Sequence, residues 1–411
     1  MTQLSAGNAD LVVIGGGIFG CAIAYYYSRN HPEKKIVLLE RSQLCSGATS
    51  RAAALVTRVR SKKYFIPLSL ETYRVIEELE NQLGESLDMK RVGVMHFASS
   101  ETNKSALMEL METAKEFKQP AEYISFEEAH KKSPWLQTTE SVTVGFMPGE
   151  AYCDPYLLGT FFARCAKMNG AEIRQGVEVL QLIMDGDKVA GVITALGRIY
   201  ASVVVLATGA WAPLLAAQAG ISLPMAPVRS QYWITETGTL YPLDSPIVLL
   251  PDAHAYARPE GGGLLFGIRE RNSFSVSPAD IPADLAQFSF SPDRGIQDLG
   301  EVIESLGRFF PKVYDAGLKY YIAGFCGYTP DNNLSMGPAP GVSNLLLATG
   351  CVGAGISVSG GVGLAFAEMA AGNANPFDFS HFDLERFGKI DPFSREWLNK
   401  CGLARSKKTS G

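Results

Sequence analysis

A strand that runs into a cluster of glycines and straight out into a helix leaves few folds open. Residues 11–14 read Leu-Val-Val-Ile, residues 15–20 Gly-Gly-Gly-Ile-Phe-Gly, and residues 21–29 CAIAYYYSR. At this spacing Gly15 makes the tight turn, Gly17 lets a pyrophosphate reach the backbone, and Gly20 lets helix and strand pack closely. The helix N-terminus then presents N–H groups and partial positive charge to phosphate. A second strand, IVLLE, ends in Glu40, twenty residues past Gly20. A carboxylate there can accept both hydroxyls of a ribose, and its charge disfavours a 2′-phosphate. A glycine-rich turn used only for packing leaves Glu40 unexplained. The unit implies a dinucleotide site and leaves NAD and FAD both open.

Two later segments repeat the pattern of a buried strand running into glycine, residues 203–209 (VVVLATG) and 345–350 (LLLATG). Continuous apolar runs of this kind are read as strands covered on both faces, hence a parallel sheet with helices packed on it. Three such strand ends, far apart in the chain, imply one nucleotide site assembled from distant parts. Helical spacing is expected at 64–83, 100–118 and 361–372. Strand, helix and strand follow over 142–147 and 152–180. From about 222 to 330 the runs are mostly of period two (QYWITE, LKYYIAGF), which predicts a largely antiparallel sheet of a second domain. The fold class expected is therefore α/β, a Rossmann-like parallel-sheet domain plus that second domain. The last thirty residues become polar and end in RSKKTSG, and are expected to be a frayed tail.

Composition narrows the function classes. The 411 residues are 46% apolar and only 19% charged, with 37 basic against 42 acidic side chains and a net charge of −5. That excludes disorder and makes nucleic acid an unsuitable main partner. The seven cysteines, at 21, 45, 153, 165, 326, 351 and 401, form no CxxC pair, and there are five histidines. No metal site and no disulfide framework is expected, only thiols in a reducing compartment. No Lys or Arg precedes the first apolar stretch, which continues as a strand–helix unit. Neither a signal peptide nor membrane insertion is expected, and the expected location is cytoplasmic.

The stretch LVVIGGGIFGCAIAYYYSR…VLLERSQLCSGATSRAAALV resembles the start of the D-amino-acid oxidase superfamily of FAD oxidoreductases, in its glycine oxidase and sarcosine oxidase branches. The resemblance continues through VVVLATGAWAPLL, LPMAPVRSQ, YTPDNNLSMGPAPG and NLLLATGCVGAGISVSGGVG, in order. It implies FAD, and Gly324, standing where sarcosine oxidases carry the cysteine that attaches it, makes non-covalent FAD the expectation. Gly15, Gly17, Ile18, Phe19 and Gly20 would hold the pyrophosphate, and Glu40 with Arg41 the adenosine ribose. Thr49, Ser50, Ala53, Ala54 and Leu55 would pass close to the phosphates and the flavin. The backbone of Val179 would meet adenine, Gly209 and Trp211 would form the second glycine turn, and Gly353, Ala354, Gly355 and Ile356 would open a helix aimed at the flavin. It divides the chain into an FAD-binding domain (1–90, 145–220 and 325–380), a substrate domain (91–144 and 221–324) and a C-terminal tail (381–411).

The sequence also departs from those relatives. Gly324 stands where sarcosine oxidases attach FAD through cysteine. Cys326 stands where glycine oxidases hold the substrate carboxylate with arginine, Ser357 where sarcosine oxidases use lysine for it, and Leu265 where they place an oxygen-activating lysine. A desolvated carboxylate still needs a cation. Arg51, Arg58, Arg60, Arg258 and Arg269 are the candidates. Tyr256 and His254, in AHAYARP, match a pair at the glycine oxidase site and are the candidate catalytic residues.

The expected activity is FAD-dependent oxidation of the C–N bond of an amino acid or secondary amine by hydride transfer to flavin N5, with oxygen or another acceptor taking the electrons. An FAD-dependent 2-hydroxy acid or alcohol dehydrogenase, with His254 as base, is the alternative. So is a flavin-carrying β subunit of a hetero-oligomeric amine dehydrogenase. The expected partner is a small amine or amino acid, with a homo- or hetero-oligomer also open.

Overall fold

The computed structural model describes residues 7–283 and 290–408. The first six residues of the N-terminal stretch and the last three of the tail lie outside the described residues. Strand Gly7–Ile14 pairs in parallel with Ile36–Glu40 on one side and Gly197–Leu206 on the other. Glu172–Gln175 and Leu345–Thr349 extend the parallel sheet beyond those neighbours. Ser335–Pro338 and the pair Val179–Asp185 and Lys188–Thr194 complete its eight strands with antiparallel pairings.

The apolar runs have the cause expected of them. Leu11 and Val13 enter one core cluster and Val12 and Ile14 the other, so alternate side chains of the same strand are buried on opposite faces. Helix Ile18–Asn30 lies between helices Pro155–Met168 and Ser359–Ala370. Covered on several sides, it is apolar nearly all round rather than striped, and Cys21–Tyr26 are wholly buried. A Cβ at Gly363 would stand 2.8 Å from the Ala22 Cβ, which shows how closely two of these helices approach.

The second sheet also has eight strands, in the order Leu318–Tyr328, Ala226–Thr235, Gly263–Ile268, Ala255–Glu260, Ile247–Leu250, Val94–Ala98, Thr143–Met147 and Glu122–Ile124. It is antiparallel except where Ile247–Leu250 meets Val94–Ala98 in parallel. The region expected as strands over 222–330 also contains a helix, Pro292–Gly307. It buries Leu299, Val302 and Leu306 against this sheet, a spacing that period-two runs on either side obscured.

Two expectations at the C-terminal end need correction. Regular helix begins at Ser359, not at Gly353. Residues 353–356 form turns before it, already closed by a 3.1 Å bond from the Val358 N–H to the Ala354 carbonyl. The tail is not frayed over its described length, because Arg395–Ser406 is a helix. Ser394 caps it by accepting from the Trp397 N–H, and Trp397, Leu398, Cys401 and Arg405 are buried. Its apolar positions recur at helical spacing, and the polar residues between them hid this.

Candidate cofactor and substrate site

Parallel register sets Ile14 beside Leu206, and Leu206 beside Leu347. Three strands therefore end side by side, and the glycine turns after them share one space. A cavity of about 360 Å³ lies there. Gly15, Gly17, Ile18, Phe19, Glu40, Arg41, Thr49, Val179, Gly209 and Trp211 all line it, together with Gly350 and Cys351 from the third turn. The three-turn convergence expected from the sequence is what the fold builds.

Local geometry explains each glycine. Gly15 has φ +104°, and a Cβ on it would sit 2.6 Å from the Ala207 carbonyl oxygen of the neighbouring turn. Gly20 does not line the cavity. A Cβ there would be 1.9 Å from the Gly15 carbonyl oxygen, so Gly20 serves the helix–strand packing. At Gly17 a Cβ would stand 3.5 Å from Thr49 Oγ1, with no other described atom within 4 Å, and the backbone lies open to the cavity. The Ile18 N–H donates to Thr49 Oγ1 at 3.0 Å, which ties the loop over residues 42–51 to the first turn of the helix.

Glu40 accepts from the Gly16 and Ser42 N–H groups at 2.7 and 2.8 Å, one on each oxygen. Each oxygen keeps a lone pair for a further donor such as a ribose hydroxyl. The Arg41 guanidinium lies 4.2 Å from the centre of the Trp211 ring. Two buried donors on this wall, Thr208 Oγ1 and Trp211 Nε1, have no hydrogen-bond partner among the described residues. Unpaired buried donors are costly. An open glycine backbone, a free carboxylate face and two waiting donors together fit a dinucleotide such as FAD.

A second cavity, of about 150 Å³, adjoins the first and shares Ile18, Ala48, Thr49, Phe325 and Cys351 with it. Ala53, Ala54, Leu55, Gly353, Gly355 and Ile356 line it, as do Arg51, Tyr256, Arg269 and Cys326. Ala54 has φ +54°. Ala354 is buried behind this wall, and Ser50 is exposed and lines neither cavity. Burial holds the Tyr256 phenol above its ordinary pKa, and does the same for Tyr232 and Tyr328 beside it. These phenols therefore act as hydrogen-bond donors at neutral pH, not as bases.

Four other candidates fall outside the second cavity. His254 is exposed, at φ +50° in the turn before strand Ala255–Glu260, so it does not share the alternation that carries Tyr256 inward. Arg58 lies over the Tyr73 ring at 4.6 Å and pairs with the buried Glu150. Arg60 donates to the Thr57 carbonyl at 3.2 Å. Arg258 is buried and donates to the Ala53 carbonyl at 2.7 Å and to Glu260, so it braces the Ala53–Leu55 wall from behind. Leu265 is likewise buried outside both cavities.

The second cavity also holds cations that sequence reasoning missed. Arg405, on the C-terminal helix, and Lys408, just after it, both line it. The helical spacing of Trp397, Leu398, Cys401 and Arg405 was the signal that could have found them. Arg405 donates to Glu270 at 2.6 Å, to Ser273 at 2.8 Å and to the Ile268 carbonyl at 3.0 Å. Among the described residues, no Asp, Glu or His lines this cavity. Among the described residues there is no cluster that could hold a metal ion, and no helix is long and apolar enough to cross a membrane.

Known proteins resemble the chain over nearly its whole length. It is 30% identical over 385 residues to a 4-methylaminobutanoate oxidase (formaldehyde-forming) of Paenarthrobacter nicotinovorans, covering 92% of this chain and 45% of that protein. It is 28% identical over 390 residues to mitochondrial dimethylglycine dehydrogenase of Mus musculus, covering 93% of this chain and 44% of the relative. The chain thus spans less than half the length of these two relatives. It is 25% identical to the glycine oxidase of Bacillus subtilis, covering 92% of this chain and 97% of that protein. L-Proline dehydrogenase from P. horikoshii shares the fold, with a TM-score of 0.80 at 24% identity over 93% of this chain and 98% of that one. Residues 10–369 match the family model described as DAO, FAD dependent oxidoreductase, so the strand ends, the glycine turns and the paired cavities are those of a member of that family.

Proposed function

We propose that the chain oxidises the C–N bond of a small amino acid or secondary amine, held in the 150 Å³ cavity beside the cofactor. The observation that carries this reading is the make-up of that cavity. It adjoins the nucleotide cavity, and among the described residues it is lined by phenols and cations with no carboxylate or imidazole. Oxidising an alcohol requires a group to take the hydroxyl proton. An amine bound in its neutral form needs none, because its nitrogen lone pair assists loss of the hydride. With His254 outside the cavity, the alcohol reading loses the base it relied on. The relatives that act on N-methyl amines and N-methylglycines support the same substrate chemistry.

Bound FAD supplies the two-electron acceptor. The turns at 15–20 and 207–211, with Glu40, Arg41 and Val179, would hold its nucleotide portion. Small side chains at Ala53, Ala54, Gly353 and Gly355 leave space at the junction of the cavities, where a ring system must enter. Tyr256, Tyr232 and Tyr328 would donate hydrogen bonds to the substrate and orient its C–H bond, and the buried walls exclude water.

The test is anaerobic reduction of the holoprotein by a panel of N-methyl amino acids, imino acids, D-amino acids and 2-hydroxy acids, read at the visible flavin band. Bleaching by amines and not by hydroxy acids is expected. His254→Asn should change the reduction rate less than twofold. Bleaching by hydroxy acids alone, lost in that variant, would overturn the proposal.

A further inference from the structure

We infer that Cys326 and Cys351 form a reversible dithiol–disulfide centre where the two cavities meet, a site that reduces a hydroperoxide, with Cys351 the attacking sulfur and Cys326 the resolving one. The inference goes beyond the amine reading, because it uses only the chain's own sulfurs and holds whatever the second cavity binds. Strand Leu318–Tyr328 of the second sheet carries Cys326 near its end, and the turn after Leu345–Thr349 of the first sheet carries Cys351. The two Sγ atoms are 3.1 Å apart. A disulfide bond is about 2.05 Å long, so each sulfur has about half an ångström to travel. Cys351 is half-buried and lines both cavities, and Cys326 is buried and lines the second. A small oxidant in either cavity can therefore reach Cys351.

The backbone keeps the sulfurs together. Val352 has φ +44°, a strained value for a β-branched residue, and Gly353 has φ +76°. The turn is latched by the Val352 N–H, which donates to the Gly327 carbonyl at 2.8 Å, and by the Gly353 N–H, which donates to Cys326 Sγ at 3.2 Å. Lys408 Nζ donates to the Val352 carbonyl at 2.8 Å, which sets an ammonium beside the pair. These groups stabilise one negative charge on two sulfurs. The Cys326 thiol, the Gly353 N–H and the Lys408 ammonium draw the Cys351 thiol below its ordinary pKa against the effect of burial, and the Cys351 sulfur holds Cys326 well above its own. The sulfur that gives up its proton is thus the accessible one. Burial instead pushes the Cys153 and Cys165 thiols up to about 12 and about 11, the setting of unreactive cysteines.

The chemistry balances without help from the cofactor. The Cys351 thiolate attacks one oxygen of the hydroperoxide, and an S–O bond forms as the O–O bond breaks. The departing oxygen takes a proton from solvent and leaves as an alcohol, or as water when the oxidant is hydrogen peroxide. Cys326 then displaces the hydroxyl of the sulfenic acid, which leaves as water with the Cys326 proton, and the S–S bond closes. Two thiols give up two electrons and two protons, and the peroxide accepts them.

Holoprotein with its thiols first reduced and the reductant removed is treated with about one equivalent of hydrogen peroxide under nitrogen, alkylated, and mapped by peptide mass spectrometry. The expected product is a disulfide between Cys326 and Cys351 that dithiothreitol reverses, with the other five of the seven cysteines still alkylated and the FAD content unchanged. In Cys326→Ser, dimedone should label Cys351 as trapped sulfenic acid. In Cys351→Ser, peroxide consumption should fall about tenfold or more, with Cys326 unlabelled. The native map decides the matter even where a variant fails to fold.

Peroxide that leaves every thiol free overturns the inference, as does a disulfide through any other pair, Cys21 and Cys45 included. Labelling of Cys326 instead of Cys351 overturns the assignment of the attacking sulfur. Flavin bonded to either cysteine overturns the centre, because that sulfur would no longer be free to form the bridge. A mapped Cys326–Cys351 disulfide in a protein whose flavin no amine bleaches removes the amine reading and leaves the thiol pair standing.

Discussion

Gly20 shows how little freedom a single position can have. Its missing Cβ is what allows the helix to cross the Gly15 carbonyl, 1.9 Å from where that carbon would be. The obstructing atom is backbone and cannot rotate away. Gly20→Ala should therefore cost about 1–3 kcal/mol, the usual range for overpacking, and separate the helix N-terminus from the phosphates. The expected outcome is a lower melting temperature and a largely colourless preparation, read by thermal denaturation and the visible spectrum. This residue was legible in the sequence because its role is local. His254 was not, since one turn of backbone decides whether a side chain beside a strand points in or out. Arg258 was misjudged for a related reason. A guanidinium can serve a ligand or a carbonyl of its own chain, and only the fold shows that Ala53 claims this one.

At the scale of elements, the C-terminal helix is held to the second sheet by buried charge. Arg405 pairs with Glu270, which also faces Arg229, and Arg229 in turn donates to Asp298. Removing one member leaves an uncompensated buried charge. Arg405→Met should destabilise the protein by about 3–5 kcal/mol, measured by denaturant unfolding, while replacing the exposed Lys400 should change little. The same network predicts a pH dependence. Burial alone would raise the Glu270 carboxyl, but Arg405, its own backbone bond and Arg229 outweigh this and hold it below the ordinary carboxylate range. A carboxyl lowered by folding stabilises the folded state above its unfolded pKa of about 4.3, and that contribution fades as pH falls toward the folded value. Acid should therefore release the C-terminal helix, and Arg405→Met should flatten the acid limb of a melting-temperature profile. A steep acid limb unchanged in the variant would count against the network. The helix itself was readable from the spacing of Trp397, Leu398, Cys401 and Arg405. Its docking was not, because Glu270 lies 135 residues away in the chain.

For the whole molecule, the site depends on three strand ends brought together by parallel pairing. Gly324 lines the second cavity with no side chain, and a Cβ there would come within 2.8 Å of Arg51 Cδ. Nothing at that position can bond to a cofactor. FAD should therefore appear wholly in the supernatant after acid precipitation, with no flavin absorbance left in the pellet. Flavin retained by the protein pellet would show attachment through another residue.

The nucleotide half of the site was written in the order of residues along the chain. Strand, glycine turn, helix, second strand and terminal acid follow one another within thirty residues, and local sterics permit one arrangement of them. The substrate half had no such local grammar. Its cations come from positions 51, 269, 405 and 408, its phenols from 232, 256 and 328, and each could equally have faced solvent. Which of them meet was decided only when the second sheet formed and the last helix settled on it. A side chain's direction is a property of packing, and packing joins residues that the chain keeps far apart.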